Sequence, residues 1–294
     1  MIGGDCLQVS EVTLLNTTLG ESIVFSQESS THILEICDLS NIPSEMSTQK
    51  RVAADGVLVT SVKLSPRTIS LVIWLVGEND EQLSTYRRSL SRLINPKQPI
   101  RLLQNGYAIE GYPLHTIAVG TDRNVMNDRM CRIYIELYCA FPLFTTEETS
   151  SAAIASWENK LTFPLNFTNN QIIFGLRSSV LIAAISNFGD VECGAKFYVA
   201  AKGKVINPRI INITTQTYME FSLTLMNEDQ LVIDTTGEIP VVLLNGESVV
   251  SSLTEDSGQL VLPVGLSDIS YSAEGGSEAM EVRIEVNPLF LEVL

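Results

Sequence analysis

The alternation of apolar and polar residues predicts a protein built mainly from β-strands. Residues 57–64 and 67–76 are rich in Val, Ile, Leu and Thr, and we expect two strands joined by a tight connection at Ser65-Pro66. In the second strand every odd-numbered position from Ile69 to Leu75 is apolar. This period of two residues predicts that one face of the strand is buried.

One segment of the first half has helical spacing instead, and we expect a helix from about residue 80 to residue 95. Asn79 or Asp80 can cap its first free N–H groups. Pro96 ends it, because the residue before a proline is driven out of the helical region. Its apolar positions recur every three or four residues: Leu83, Tyr86, Leu90, Leu93 and Ile94.

The other face of this helix carries Arg87, Arg88 and Arg92. Surface charge usually has no specific partner, so a solvated face is one interpretation. The other interpretation is a contact between subunits of an acidic assembly. These three arginines are therefore the candidate interface residues of the sequence.

A hairpin and a long strand are expected after the helix. Asn105-Gly106 predicts a two-residue hairpin turn, because such a turn needs positive φ at both central positions. From Met130 to Ala140 apolar and polar residues alternate, which predicts an amphipathic strand with one buried face.

The length of 294 residues suits two domains. A stretch rich in Thr, Ser, Ala and Glu predicts a linker at 145–158, between an α+β domain at 1–144 and a second domain at 159–294. Short β-rich runs separated by turn residues predict that the second domain is an antiparallel β-sandwich. Its expected strands are 161–167, 171–174, 179–186, 193–201, 209–214, 217–226, 230–234, 240–244, 259–263 and 280–286.

Composition and charge restrict the partners. The chain is 45% hydrophobic but only 18% charged, which excludes a disordered chain and suggests surface covered by a partner. No apolar run is long enough to span a bilayer, so we expect no membrane insertion. The net charge is −15 without a Lys/Arg cluster, so we expect no specific binding of nucleic acid.

The start of the chain lacks the basic and apolar regions of a signal peptide, so we expect synthesis and folding in the cytoplasm. The three N-x-T sequons, at Asn16, Asn166 and Asn212, are then expected to be chance matches. The cysteines form no C-x-x-C pair, and we expect free, mostly buried thiols. They are Cys6, Cys37, Cys131, Cys139 and Cys193.

Catalytic, cofactor and metal motifs are missing from the sequence. His32 and His115 have no second ligand at metal-binding spacing, and both are expected to be structural. There is no Walker loop, no G-x-G-x-x-G and no G-x-S-x-G. We therefore predict no catalytic residue, no cofactor and no metal.

Paired carboxylates and exposed aromatic residues are the remaining chemical candidates. The acid pairs Asp229 with Asp234 and Glu255 with Asp256 lie among turn residues, where Asp serves the backbone. The aromatic residues of the second half are more typical of a core than of sugar-stacking platforms. They are Trp157, Tyr198, Tyr218, Phe221 and Tyr271.

Taken in order, these features resemble the distal tail (Dit) proteins of long-tailed bacteriophages. The similarity runs from about Ile23 to Leu294, and its specificity lies in the order of the pieces. In the first half these are Arg67-Thr68-Ile69-Ser70-Leu71, the helix with Arg87 and Leu90, Asn95-Pro96-Lys97, Gly106, and the strand from Ile135 to Phe144. In the second half they are Asn187-Phe188-Gly189-Asp190, Asn207-Pro208-Arg209-Ile210, Leu231-Val232-Ile233-Asp234-Thr235 and Asn245-Gly246.

The resemblance implies a non-enzymatic structural protein of the virion tail and its baseplate. Its N-terminal domains would form a hexameric ring with peripheral galectin-like sandwiches. The implied partners are the tail tube protein, the tail-tip hub protein and receptor-binding proteins, with DNA passing through the lumen. The first 20 residues match nothing in the family, and they can be interpreted as an extension that reaches a neighbouring subunit.

Two other functions stay open at this point. One is a carbohydrate-binding module for host recognition, which a glycan array would identify. The other is a glycosidase, for which the substitution of one carboxylate would abolish turnover without unfolding the protein.

Overall fold

The computed structural model describes residues 9–51, 55–118, 129–146, 150–153, 157–159, 175–177 and 182–293. The chain divides into two compact units, Met1–Glu147 with Phe290–Leu294, and Glu148–Leu289. Strands dominate both units, and the described residues contain one α-helix of 14 residues. The mainly β fold class with a single helix is thus confirmed. No described helix is long and apolar enough to cross a membrane.

The described strands and helices follow one another in this order. They are β1 (Glu11–Asn16), β2 (Glu21–Ser26), β3 (His32–Asp38), β4 (Ser44–Lys50), β5 (Val57–Leu64), β6 (Arg67–Val76), α1 (Asp80–Leu93), β7 (Ile100–Gln104), β8 (Tyr107–Ala118), β9 (Met130–Cys139), β10 (Phe144–Thr146), β11 (Ser150–Ala153), β12 (Trp157–Asn159), β13 (Gly175–Arg177), β14 (Ile182–Asn187), β15 (Ala195–Ala201), β16 (Val205–Asn212), β17 (Thr217–Glu220), β18 (Thr224–Leu225), β19 (Gln230–Asp234), β20 (Val241–Leu244), β21 (Glu247–Ser248), β22 (Gly265–Gly275), β23 (Met280–Val286) and β24 (Leu289–Phe290). Two 3₁₀ turns, Val250–Ser252 and Ser277–Ala279, flank β22.

The first unit is organised around a barrel. Its sheet has the order β24-β10-β8-β7-β1-β2-β3-β6-β9, and β9 also pairs with β8, so the strands from β8 to β9 close on themselves. The predicted apolar face of β6, from Ile69 to Leu75, is buried in the core. The matching face of β9 is buried as well, which confirms the amphipathic strand expected at 130–140.

Helix α1 confirms the predicted helix and its cap. Asn79 is the N-cap, and its side chain accepts a hydrogen bond from the Gln82 amide. Leu83, Leu90 and Leu93 are buried against the barrel core. The helix ends at Leu93, two residues before the predicted end, because Ile94 has already left helical geometry ahead of Pro96.

The tight turn at Asn105-Gly106 is confirmed, with φ of 50° and 82° between the paired strands β7 and β8. The connection at Ser65-Pro66 differs from the expectation. β5 and β6 do follow each other, but they do not pair, because both edges of β6 are occupied by β3 and β9. β5 pairs with β4 in a separate two-stranded ribbon.

Residues 9–20, the described part of the opening segment, do not form an extension. This corrects the interpretation of the first 20 residues. β1 lies between β2 and β7. Asn16 at its end is fully buried; it donates to the Leu93 carbonyl and accepts from the amides of Thr18 and Leu19. Asn16 is a structural residue, and its burial excludes it as a glycosylation site.

The end of the chain returns to the first unit. Arg67 is completely buried, and its Nη2 donates to the Leu291 carbonyl at 2.7 Å. The Phe290 aromatic ring meets that of Tyr107 edge to face at 5.0 Å, and Val293 is buried in the barrel core. The second unit is therefore connected to the first at both of its ends.

The second unit contains two antiparallel sheets. Their orders are β11-β23-β15-β19-β20-β21 and β14-β22-β16-β17, with β18 paired to β16 and a separate β12-β13 pair. Phe197 and Ile233 of the first sheet share one hydrophobic cluster with Ile210 and Tyr271 of the second. A core shared by two sheets is what a sandwich requires. The galectin-like character of this unit stays a prediction.

Several strand bounds of the second half differ from those expected. Residues 259–263 form no strand, because Pro263 has no N–H to donate and only Leu262 makes a bridge, although Leu260 and Leu262 are core residues. The strand β22 was not expected, because its buried positions include Ser267 and its sequence is rich in Ser, Asp and Gly. Among the other expected strands, the one at 209–214 begins earlier, as β16, and the one at 217–226 is split into β17 and β18. The strands expected at 161–167 and 171–174 lie outside the described residues.

The segment 145–158, expected to be a linker, contributes strands to both units. Within it, β10 pairs with β8 of the barrel, and β11 pairs with β23 of the second unit. Short polar runs are compatible with strand edges when the neighbouring strand supplies the hydrogen bonds. For this reason the composition of the segment did not reveal its pairing.

Candidate self-association surface

The β4-β5 ribbon is the most exposed element of the first unit. It leaves the barrel between β3 and β6, and the Ser65 amide closes its base on the Pro43 carbonyl at 2.9 Å. Every residue of β4 is exposed, and so is every residue of β5 except Ser61, which is half-buried. The ribbon is thus a strand pair whose side chains have little cover from their own chain.

A bulge in the ribbon gathers five of its six apolar side chains on one face. Ser47 pairs with Ser61 but Thr48 pairs with Val59, so Thr60 is the extra residue. Cross-strand partners share a face, and the shift of one residue puts Val57 and Val59 on the same face as Val62 and Leu64. Met46, the partner of Val62, lies on this face too, and we call it the apolar face, although its other β4 positions are Ser44, Thr48 and Lys50.

The five side chains of the apolar face, Met46, Val57, Val59, Val62 and Leu64, are 38% to 61% exposed. The opposite face pairs Glu45 with Lys63, Ser47 with Ser61 and Gln49 with Leu58. Contiguous exposed apolar area of this kind marks an interaction site. The apolar run Val57–Leu64 predicts a strand but not this face, although the change of its apolar positions from odd to even numbers is the signal of a bulge.

The three candidate arginines of helix α1 are all exposed, but their environments differ. Arg92 forms an ion pair with Glu21 at 2.9 Å, so its charge already has a partner within the chain. Arg87 and Arg88 form no ion pair with any described residue. The structure thus separates Arg92 from the other two.

A polar cluster joins three strands on the barrel face opposite the core. Glu35 lies at a bulge in β3, and its carboxylate accepts hydrogen bonds from Nε and Nη2 of Arg132 at 2.7 and 2.5 Å. Nε1 of Trp74 donates to the same carboxylate at 2.7 Å. The hydrogen bond from Arg132 lowers the pKa of Glu35; partial burial opposes this shift, and the bond from Trp74 adds to it.

This shift predicts a pH-dependent stability. The folded-state pKa of Glu35 lies below its unfolded-state value of about 4.3, so ionisation stabilises the fold above that pH, and the effect is lost as pH falls through the folded-state pKa. Glu35→Gln is expected to lower the free energy of unfolding at about pH 7 and to have a smaller effect near pH 3, because the contribution of the carboxylate shrinks as the native residue becomes protonated. Urea unfolding measures both differences, with the exposed Glu110→Gln as control. A difference of equal size at both pH values contradicts the account.

The other chemical candidates are occupied by structural roles. Asp229 accepts hydrogen bonds from the Met226 amide and from Asn245, and Asp234 accepts from Thr236 and pairs with Lys196. These contacts lower the pKa of both carboxyls, with burial opposing the shift of Asp234. Neither carboxyl has the raised pKa of a general acid.

The aromatic candidates of the second unit whose side chains are described are either buried or stacked against an arginine. Phe221 and Tyr271 are buried core residues, as expected. The Arg209 guanidinium lies 3.6 Å from the centroid of the Tyr218 aromatic ring. The Arg283 guanidinium lies 4.7 Å from the centroid of the Tyr198 ring. Sugar stacking on the same face of either tyrosine would have to displace its arginine.

The histidines and cysteines form no metal site within the described part of the chain. His32 packs against the aromatic rings of Phe25 and Tyr86, and burial lowers its pKa, whereas His115 is exposed. The four described cysteines are free thiols, as predicted, and three of them are buried. Burial raises the pKa of Cys37 and of Cys139 to about 12, so these thiols are poor nucleophiles.

Two family models match the chain in sequence. Residues 19–149 match the phage tail protein RIFT-related domain, and residues 188–288 match the C-terminal domain of the siphovirus-type tail component. The two matches follow each other along the chain, one on each compact unit. No curated protein matches the chain.

Two solved phage structures have the same fold. The Dit protein of phage SPP1, described as a paradigm of the hub adsorption apparatus in phages that infect Gram-positive bacteria, superposes with a TM-score of 0.69 at 11% identity, over 95% of this chain and 99% of that one. A chain of the phage P2 baseplate, in its activated conformation with Ca, superposes with a TM-score of 0.53 at 10% identity, over 96% and 99%. At such low identity the likeness supports the fold alone.

Proposed function

The chain belongs to the Dit family of phage baseplate hubs and is a structural component of the virion tail, and on that premise we propose that six copies close into a ring that joins the tail tube to the tail-tip proteins. Receptor-binding proteins are further proposed partners. The subunit acts by assembly, without catalysis and without a cofactor.

The observation that carries this proposal is the apolar face of the β4-β5 ribbon. Fully burying one Val, Leu or Met side chain contributes about 1.5–3 kcal/mol, so covering the exposed half of each contributes about 1 kcal/mol. Five such side chains lie on one face of a strand pair that protrudes between β3 and β6. When a second copy of the chain covers this face, its exposed apolar side chains become buried in a stable contact.

A ribbon that reaches a different surface of the next copy makes a heterologous contact. Such contacts form a closed ring when the rotation between neighbours closes, and an open filament when it does not. The barrel unit carries the ribbon, so we assign ring formation to this unit and a peripheral position to the second unit.

The charge of the chain fits a passage for DNA. With a net charge of −15 and no long run of Lys or Arg, a ring of these subunits repels a polyanion from its wall. DNA then passes through the lumen without specific binding.

Electron micrographs of the purified protein, alone and mixed with tail tube and tail-tip proteins, test the proposal. We expect rings with six-fold symmetry and an open centre. Isolated single subunits in every one of these mixtures would contradict it. A glycan array tests the alternative function of carbohydrate binding, because a purely structural hub binds no sugar.

A further inference from the structure

A cleft of about 310 Å³ opens beside the C-terminal end of helix α1. Ile94 at its base is buried, whereas Leu114 at its rim is 52% exposed. The cleft therefore has a buried apolar residue at its base, polar groups in its lining and an open rim. Its lining residues are Ser91, Ile94, Pro96, Pro113, Leu114 and His115.

Two arginines lie on helix α1 within one turn of the cleft residue Ser91. Arg87 and Arg88 precede Ser91 by four and three residues, so all three lie on one side of the helix. Neither arginine forms an ion pair within the described residues, whereas Arg92, which points to Glu21, does. The cleft thus has an apolar base and lies beside two exposed cations of the adjoining helix.

We infer that this cleft is a docking site for an acidic segment of a second copy of the chain, in which an apolar side chain enters the cleft and carboxylates reach Arg87 and Arg88. Charge complementarity favours this occupant, because the whole chain carries −15. The second unit, Glu148–Leu289, has 17 acidic and 7 basic residues. The inference rests on the proposed ring and names a second contact within it.

The β4-β5 ribbon of the neighbouring copy is a poor occupant for this cleft. Its strands and the residues between them carry Lys50, Arg51 and Lys63 against Glu45 and Asp55, so the ribbon is slightly basic. Like charges would face each other if it lay beside Arg87 and Arg88. The cleft contact and the ribbon contact are therefore separate.

Photo-crosslinking in the assembled protein tests the inference. Benzoylphenylalanine replaces Leu114, and labelled and unlabelled copies of the chain are mixed. We expect a crosslink between a labelled and an unlabelled chain, in a peptide that contains Asp or Glu. Assembled protein that yields no crosslink between copies overturns the inference and leaves the proposed ring standing. Chains that never assemble overturn both.

Charge reversal provides a second, independent readout. The double variant Arg87→Glu with Arg88→Glu is expected to raise the dissociation constant for self-association at least about tenfold, measured by sedimentation velocity. Arg92→Glu is the control, because its partner Glu21 lies in the same chain, and a change within about twofold is expected. An unchanged dissociation constant for the double variant, with its thermal unfolding as in the native protein, overturns the inference.

Discussion

Placing Asp at Val59 and Val62 is expected to abolish self-association while each chain stays folded. Both side chains lie on the apolar face of the β4-β5 ribbon, about half-exposed, and neither belongs to the barrel core. In the assembly the substitutions replace two buried apolar contacts with two buried, unpaired carboxylates. We expect the dissociation constant to rise at least about a hundredfold, since each tenfold step corresponds to about 1.4 kcal/mol.

The polar face of the same ribbon provides a matched control. Gln49→Asp with Ser61→Asp adds the same two charges to the same strand pair, but on the side that carries Glu45 and Lys63. For both double variants, sedimentation velocity measures self-association and circular dichroism measures folding. Equal association of the two variants would contradict the assignment of the apolar face as the contact.

Gly194→Ala is expected to destabilise the second unit severely. An added Cβ would lie 2.0 Å from the Thr235 carbonyl oxygen, well inside contact distance. Thr235 cannot move aside easily, because its amide donates to the Ala195 carbonyl, and its hydroxyl accepts from the Ala195 amide and donates to the Leu260 carbonyl. We expect a loss of about 3–5 kcal/mol in the free energy of unfolding of this unit.

Gly258→Ala is the control for this prediction. An added Cβ at Gly258 meets nothing within 4 Å, so we expect a change of less than about 1 kcal/mol. Urea unfolding with hydrogen exchange assigns each loss to a unit. A mild effect of Gly194→Ala would show that the contact between β15 and the residues after β19 is looser than described.

Elements defined by neighbouring residues could be predicted from the sequence. The cap at Asn79, the turn at Asn105-Gly106 and the buried face of β9 all follow from local spacing and turn chemistry. The single helix and the two-sheet second unit follow from the same signals.

Features that depend on distant pairing could not be predicted. Arg67 bonds a carbonyl 224 residues away, and no local pattern marks the return of the chain end to the barrel. The apolar face of the ribbon exists because β5 pairs with β4 through a bulge and not with β6, a choice made by strands elsewhere in the sheet. The cleft brings the end of α1 next to β8, which the order of residues alone does not reveal.

The mass of the purified particle tests the central claim most directly. Native mass spectrometry is expected to give a species of six times the chain mass of 32.3 kDa, which the apolar-face variant converts to single chains. A single-chain mass for the native protein, both alone and with tail tube and tail-tip proteins added, would contradict the account.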